Sequence, residues 1–122
     1  LGVRRQRQMC IRDRHLDCCF QLVGKNAALT CSEGFADLDA YNWVVAHFGS
    51  DNIFEVSAVE MSQMMCNVVS ISPNVVISDP SFTRLNAWLR QRGITVEEVD
   101  FSEIGKQGGL FRCVTLPLYR IP

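Results

Sequence analysis

The chain reads as an α/β (α+β) protein built from a repeated ββαβ unit, and three features of its sequence predict this. Short apolar runs bounded by turn residues mark strands, and two stretches carry apolar residues at helical spacing. Each helical stretch falls between a hairpin and a single following strand. The order strand, strand, helix, strand therefore occurs twice, a repeat of elements rather than of residues, on the order of forty to fifty residues long. Two such units leave sheet edges and helix faces suited to further copies.

Taken in order, residues 15–23 are expected to form a buried strand, rich in Leu, Cys, Phe and Val. Gly24-Lys25-Asn26 supplies a turn, and residues 27–31 return as the second strand of a hairpin. Ser32-Glu33-Gly34 breaks it. Over residues 37–48, Leu38, Tyr41, Val44, Val45 and Phe48 recur at helical spacing. Asp37 and Asp39 suit the positive end of the helix dipole, and Gly49 stands at the C-terminal cap. Residues 52–56 close the first unit as a short strand.

Residues 57–65 predict a brief helix or turn packed through Val59, Met61, Met64 and Met65. Residues 67–71 and 75–78 form a second hairpin about Ser72-Pro73-Asn74. Asp79-Pro80 reads as a helix start, a cap followed by proline at the first helical position. Phe82, Leu85, Trp88 and Leu89 form the buried stripe, and Gly93 ends the helix. Residues 94–99 form a strand with Glu97 and Glu98 on its polar side. A loop over residues 100–109 leads to a last strand over 110–118.

Composition narrows the function. With 48% hydrophobic and 20% charged residues in 122, the chain suits one soluble globular domain. No apolar run is long enough for a transmembrane helix, so no membrane association is expected. Residues 1–14 stand apart, with five of the Arg residues and little to bury. They lack the apolar region of a secretory signal. Translation of a sequencing-library transposon adapter reproduces residues 4–14, so residues 1–14 are read as an adapter-derived, disordered segment. Residues 15–122 then form the domain, and the natural chain is expected to begin earlier. Without the first fourteen residues, 7 basic and 12 acidic residues remain, a formal charge of −5. That balance argues against nucleic acid and suits a cationic small ligand.

Five cysteines remain outside that segment: Cys18, Cys19, Cys31, Cys66 and Cys113. An odd number without CxxC pairing points to a reduced, cytoplasmic setting rather than a disulfide framework. Zinc needs four ligands at recurring spacings, and Cys18-Cys19 beside His15 and Asp17 lacks the second pair, so no metal or other cofactor is expected. Cys113 carries a cation beside it, Arg112, and a double glycine, Gly108-Gly109, ahead of it. A neighbouring cation favours the thiolate, the reactive form, and glycines let backbone approach a ligand. A buried cysteine on a core strand is the commoner outcome on spacing alone. Nucleophilic cysteine also needs an acid–base partner. His47 sits in the last turn of a helix, where capping or surface exposure accounts for it. His15 opens an apolar strand with Asp17 two residues on, which on a strand shares its face. A satisfied His–Asp hydrogen bond near a strand end explains that pair equally well.

Three motifs stand in order: His15-Leu16-Asp17-Cys18-Cys19-Phe20, then Cys66-Asn67-Val68-Val69-Ser70-Ile71-Ser72-Pro73, then Gly108-Gly109-Leu110-Phe111-Arg112-Cys113-Val114-Thr115-Leu116-Pro117-Leu118. Together with the repeat, they resemble the C-terminal part of the guanidino-group-modifying superfamily of arginine deiminases, dimethylarginine dimethylaminohydrolases and amidinotransferases, over residues 15–120. The resemblance implies a pentein fold of five ββαβ-type units about a central site, a partial α/β propeller of which two units are present. It implies Cys113 as nucleophile on a guanidinium carbon, His15 as general acid and base, and Asp17 as a ligand for guanidinium nitrogens. It also implies a small guanidino substrate.

The chain departs from the arginine deiminases over Gln107 to Arg112, so recognition of a substrate carboxylate does not carry over. Val114-Thr115-Leu116-Pro117-Leu118 is less polar than the segment usual in amidinotransferases, which favours a hydrolase over a transferase. A non-catalytic pentein binding protein is the alternative from another class. The superfamily's remaining substrate-binding carboxylates lie upstream of this segment, so the chain alone is expected to be inactive.

Overall fold

A computed structural model of the chain describes residues 16–105, 110–116, 118 and 119. The adapter reading of residues 1–14, the candidate His15 and the double glycine Gly108-Gly109 lie outside the described residues, as does the side chain of Asp17.

The predicted repeat is present. In the first unit β1 (Phe20–Val23) pairs antiparallel with β2 (Ala27–Thr30), Val23 opposite Ala27. Gly24 makes the tight turn between them at φ 62°, a left-handed conformation that glycine adopts without steric cost. The chain then crosses through α1 (Leu38–Phe48) to β3 (Ile53–Glu55), which runs parallel to β2 with Ala28 opposite Ile53. The Asp37 carboxylate caps α1 by accepting from the Asp39 N–H at 2.9 Å, and Gly49 ends it.

A short helix, α2 (Ala58–Ser62), follows, opened by a capping box in which Ser57 and Glu60 each satisfy the other's backbone N–H. The second unit repeats the first: β4 (Val69–Ser72) antiparallel to β5 (Val75–Ser78), a crossover through α3 (Thr83–Gln91), then β6 (Thr95–Glu98) parallel to β5. Each unit is thus a separate three-stranded sheet whose order follows the sequence. The units touch where the Gly24 N–H donates to Ser70 Oγ at 3.2 Å. A one-turn helix, α4 (Ser102–Gly105), lies beyond β6. One core runs through both units and includes Val23, Leu29, Val56, Val68, Val76, Leu85 and Leu89.

Four expectations need correction. Residues 16–18 form a 3₁₀ turn, not a strand, closed by the Cys19 N–H on the Leu16 carbonyl at 3.0 Å. A strand sends neighbours to opposite faces, whereas this turn lets both Cys18 and Cys19 enter the core. Asp17 thus lies in a turn rather than on a strand, and His15 is outside the described residues. Residues 110–118 likewise contain no strand among those described; residues 111–114 are a turn. The second helix begins at Thr83 rather than Asp79-Pro80. Asp79 instead folds its carboxylate onto the N–H and hydroxyl of Ser81, a local turn that competes with helix capping. Finally, the apolar stripe of α1 is shallow, since only Val44 is buried and Leu38 is 65% exposed, and Val59 of α2 is exposed as well.

Candidate functional site

Cys113 occupies a single helical turn. The Val114 N–H donates to the Leu110 carbonyl at 3.1 Å, which closes the backbone from 110 to 114. Leu110 and Phe111 are buried, and the Phe111 ring meets Phe101 with centroids 4.8 Å apart. Consecutive burial at 110 and 111 is provided here by the turn, whose residues 111–114 follow Leu110 directly. Two residues later the backbone has come round, and the Cys113 side chain is exposed. The reading of Cys113 as a buried strand cysteine is therefore overturned. The Arg112 guanidinium reaches toward the Thr115 carbonyl at 3.5 Å.

The turn hangs from Asn67, which is completely buried. The Asn67 side-chain oxygen accepts from the Leu110 N–H at 2.9 Å and from the Cys113 N–H at 3.3 Å. Its backbone carbonyl accepts from the Arg112 N–H at 3.3 Å. The approach to Asn67 is irregular. Beyond α2, Met64 takes φ 67°, uncommon for a residue with a side chain, and the Asn67 N–H donates back to the Met64 carbonyl at 2.9 Å. Cys66 and Val68 on either side are fully buried, so the amide enters an otherwise apolar layer.

The remaining described cysteines are of a different kind. Cys18, Cys19, Cys31 and Cys66 are all buried. Burial pushes the Cys66 thiol far up, and the nearby sulfurs of Cys19, Cys31 and Cys18 add to it. Burial also raises Cys31. Cys31 and Cys66 therefore stay protonated, and all four side chains serve as packing. Among the described residues no group of His, Cys, Asp and Glu could hold a metal ion.

Two carboxylates are accounted for by structure. Burial tends to raise the Glu55 carboxyl, but hydrogen bonds from Tyr41, Ser32 and Thr30 outweigh it and hold the group below its ordinary value. Those bonds run from the Tyr41 hydroxyl at 2.7 Å, the Ser32 N–H at 3.0 Å and the Thr30 hydroxyl at 3.1 Å, tying α1 to the sheet. Asp79 accepts from the Phe101 N–H at 3.4 Å as well as from Ser81. An open cleft lined by Met64, Asp79, Phe101 and Leu110 lies alongside the buried end of the turn. His47 stacks on Trp43 on the outer side of α1, centroids 5.0 Å apart, as the surface reading expects.

Of the residues picked from the sequence, Cys113 is thus displayed on an anchored turn, while the positions of His15 and the Asp17 carboxylate lie outside the described residues. Sequence reasoning missed the part played by Asn67. The available signal was a lone amide inside the apolar run Met64-Met65-Cys66-Asn67-Val68-Val69, since a buried polar side chain needs partners.

Comparison with known proteins agrees with the repeat. A family model described as "N,N dimethylarginine dimethylhydrolase, eukaryotic" matches residues 5–120. YkgA of Bacillus subtilis (strain 168), an uncharacterized protein, is 37% identical over 106 residues, 87% of this chain and 36% of its own length. The 2-nitroimidazole nitrohydrolase of Mycobacterium sp. (strain JS330) is 30% identical over 105 residues, 82% of this chain and 26% of its own. The chain thus spans about a third or less of the curated relatives it matches. Among solved structures, the N-terminal domain of ArgZ, a cyanobacterial arginine dihydrolase, superposes with TM-score 0.75 at 24% identity, covering 84% of this chain and 37% of that one. A dimethylarginine dimethylaminohydrolase adduct with S-methyl-L-thiocitrulline superposes with TM-score 0.60 at 22% identity, covering 80% and 34%. The architecture is that of part of a pentein domain.

Proposed function

The chain belongs to the family described as N,N dimethylarginine dimethylhydrolase, eukaryotic, and on that premise we propose that residues 15–122 form the C-terminal part of a cysteine-dependent hydrolase. Its substrate is the guanidino group of arginine or an arginine derivative. The observation that carries this reading is the exposed Cys113 thiol, held out from the core by a turn whose backbone is fastened beneath it.

Cys113 attacks the guanidinium carbon, forming an S–C bond. As the tetrahedral adduct collapses, a C–N bond breaks and ammonia or an alkylamine leaves with a proton from His15, giving an amidino-thioether. His15 then takes a proton from water, the water oxygen bonds to the same carbon, and the C–S bond breaks. The products are a ureido compound and the restored thiol. Asp17 holds the guanidinium nitrogens by charge-assisted hydrogen bonds. The name of the nitrohydrolase relative fits this scheme, since 2-nitroimidazole also offers a carbon flanked by two nitrogens to a nucleophile. Residues 1–14 are adapter-derived on this reading, and resequencing the gene from source DNA should remove Arg4 to Asp13.

The test uses the full-length gene product, offered arginine, methylated arginines and agmatine, with ureido product and intact mass as readouts. Turnover on at least one of these is expected, and Cys113→Ser should lower it by at least about a thousandfold. A haloacetamidine should add to Cys113. No turnover together with an unmodified Cys113 would sink the reading. This chain alone should show no turnover.

A further inference from the structure

Asn67 meets the Cys113 turn at the one place where a helical turn cannot satisfy itself. The first N–H groups of any helix lack partners within it and are ordinarily capped by a nearby Ser, Thr, Asp or Asn. Here the N–H groups of Leu110, Arg112 and Cys113 all end on Asn67, a residue 43 positions away from the first and 46 from the last. One amide oxygen with two lone pairs serves residues 110 and 113 together, so it fixes both ends of the segment that presents the thiol. The left-handed Met64 and the return bond from Asn67 to its carbonyl aim the amide inward, between the fully buried Cys66 and Val68. Because the N–H groups face Asn67 on the buried side, the Cys113 side chain is left on the outer side.

We infer that Asn67 is the positioning residue for Cys113, acting as a cap supplied from a distant segment that sets where the thiol stands. The inference rests on the reading of Cys113 as nucleophile. Asn67 touches no reacting atom. Its contribution is to the placement of the sulfur, which affects the chemical step more than substrate binding.

The test compares Asn67→Leu, which removes the shared acceptor, with Asn67→Asp, which keeps it. Asn67→Ser, too short to span both N–H groups, stands in if the Leu variant does not fold. Val76→Ala, a core truncation in β5, controls for lost stability. In this chain, amide exchange at Leu110 and Cys113 should quicken about five- to tenfold in Asn67→Leu or Asn67→Ser but not in Val76→Ala or Asn67→Asp. In the full-length gene product, kcat should fall at least about tenfold with KM changed less than about twofold, and Asn67→Asp should recover most of the loss. Unchanged exchange at the two amides, an unchanged kcat, or an equal fall in kcat in Val76→Ala overturns the inference. Should the unaltered full-length protein turn over no guanidino compound, the hydrolase reading fails by itself. The exchange rates and the alkylation of Cys113 by iodoacetamide then decide the positioning claim alone, and equal rates in wild type and Asn67→Leu overturn it.

Discussion

In the first ββαβ unit the central strand is sealed on both faces, with Ala27, Ala28, Leu29 and Thr30 all buried, while its helix buries only Val44 and leaves Trp43 65% exposed. In the second unit the central strand fully buries only Val76 and Ser78, and its helix sinks Leu85, Asn86 and Leu89. The connectivity is the same and the place of burial has moved from strand to helix. A shared topology thus specifies which elements meet, and the local sequence decides which of them carries the packing.

The sharpest way to break that contrast is to truncate each helix. Leu89→Ala should lower the unfolding free energy by about 2–5 kcal/mol, and Val44→Ala by under about 2, measured by urea denaturation. Equal losses would erase the distinction between the helices. Gly34→Ala comes next and probes the packing of the first unit against the turn at its start. A β-carbon there would lie 2.4 Å from Cys19 Cβ and 2.9 Å from Met61 Sδ, so the core must shift, at a cost of about 1–3 kcal/mol. A loss near zero would mean that the turn holding Cys18 and Cys19 yields easily.

The smallest effect concerns the link between the units. Arg84 on α3 pairs with Glu60, donates to the Glu55 carbonyl and stacks over the Phe54 ring at 4.2 Å. Hydrogen bonding from Arg84 is the chief reason the Glu60 carboxyl is lowered to about 2. A carboxyl lowered on folding stabilises fully above its ordinary value and loses that contribution as pH falls toward the folded one. Arg84→Ala should therefore cost about 1 kcal/mol at neutral pH, and the gap from wild type should narrow between about pH 5 and pH 2. Denaturation midpoints across that range give the answer. A constant gap would assign Arg84 to the Phe54 ring and the Glu55 carbonyl instead.

Much of this frame was legible in the sequence. Gly24, Asp37, Gly49 and Gly93 punctuate where the structure turns, because backbone conformation and capping are local properties. The doubled ββαβ order follows from periodicity alone. The two misread strands share a cause. At Cys18-Cys19 and at Leu110-Phe111, adjacent apolar residues both face inward, and an apolar run does not say whether it is extended or coiled. The site was half legible. Cys113 drew notice for its chemistry, but whether it stood inside or outside depended on Asn67, a contact fixed by the fold and distant in sequence.

That distance bears on the order in which the molecule assembles. The β1–β2 and β4–β5 hairpins close across short turns and form early, since local pairings lose little chain entropy. The bonds from Asn67 to residues 110 and 113 span 43 and 46 positions and gain a fixed acceptor only once the layer around Cys66 and Val68 has packed. The turn that displays the thiol is accordingly expected to settle after the hairpins during folding. A nascent or partly denatured chain would then hold both hairpins before it holds Cys113 in place.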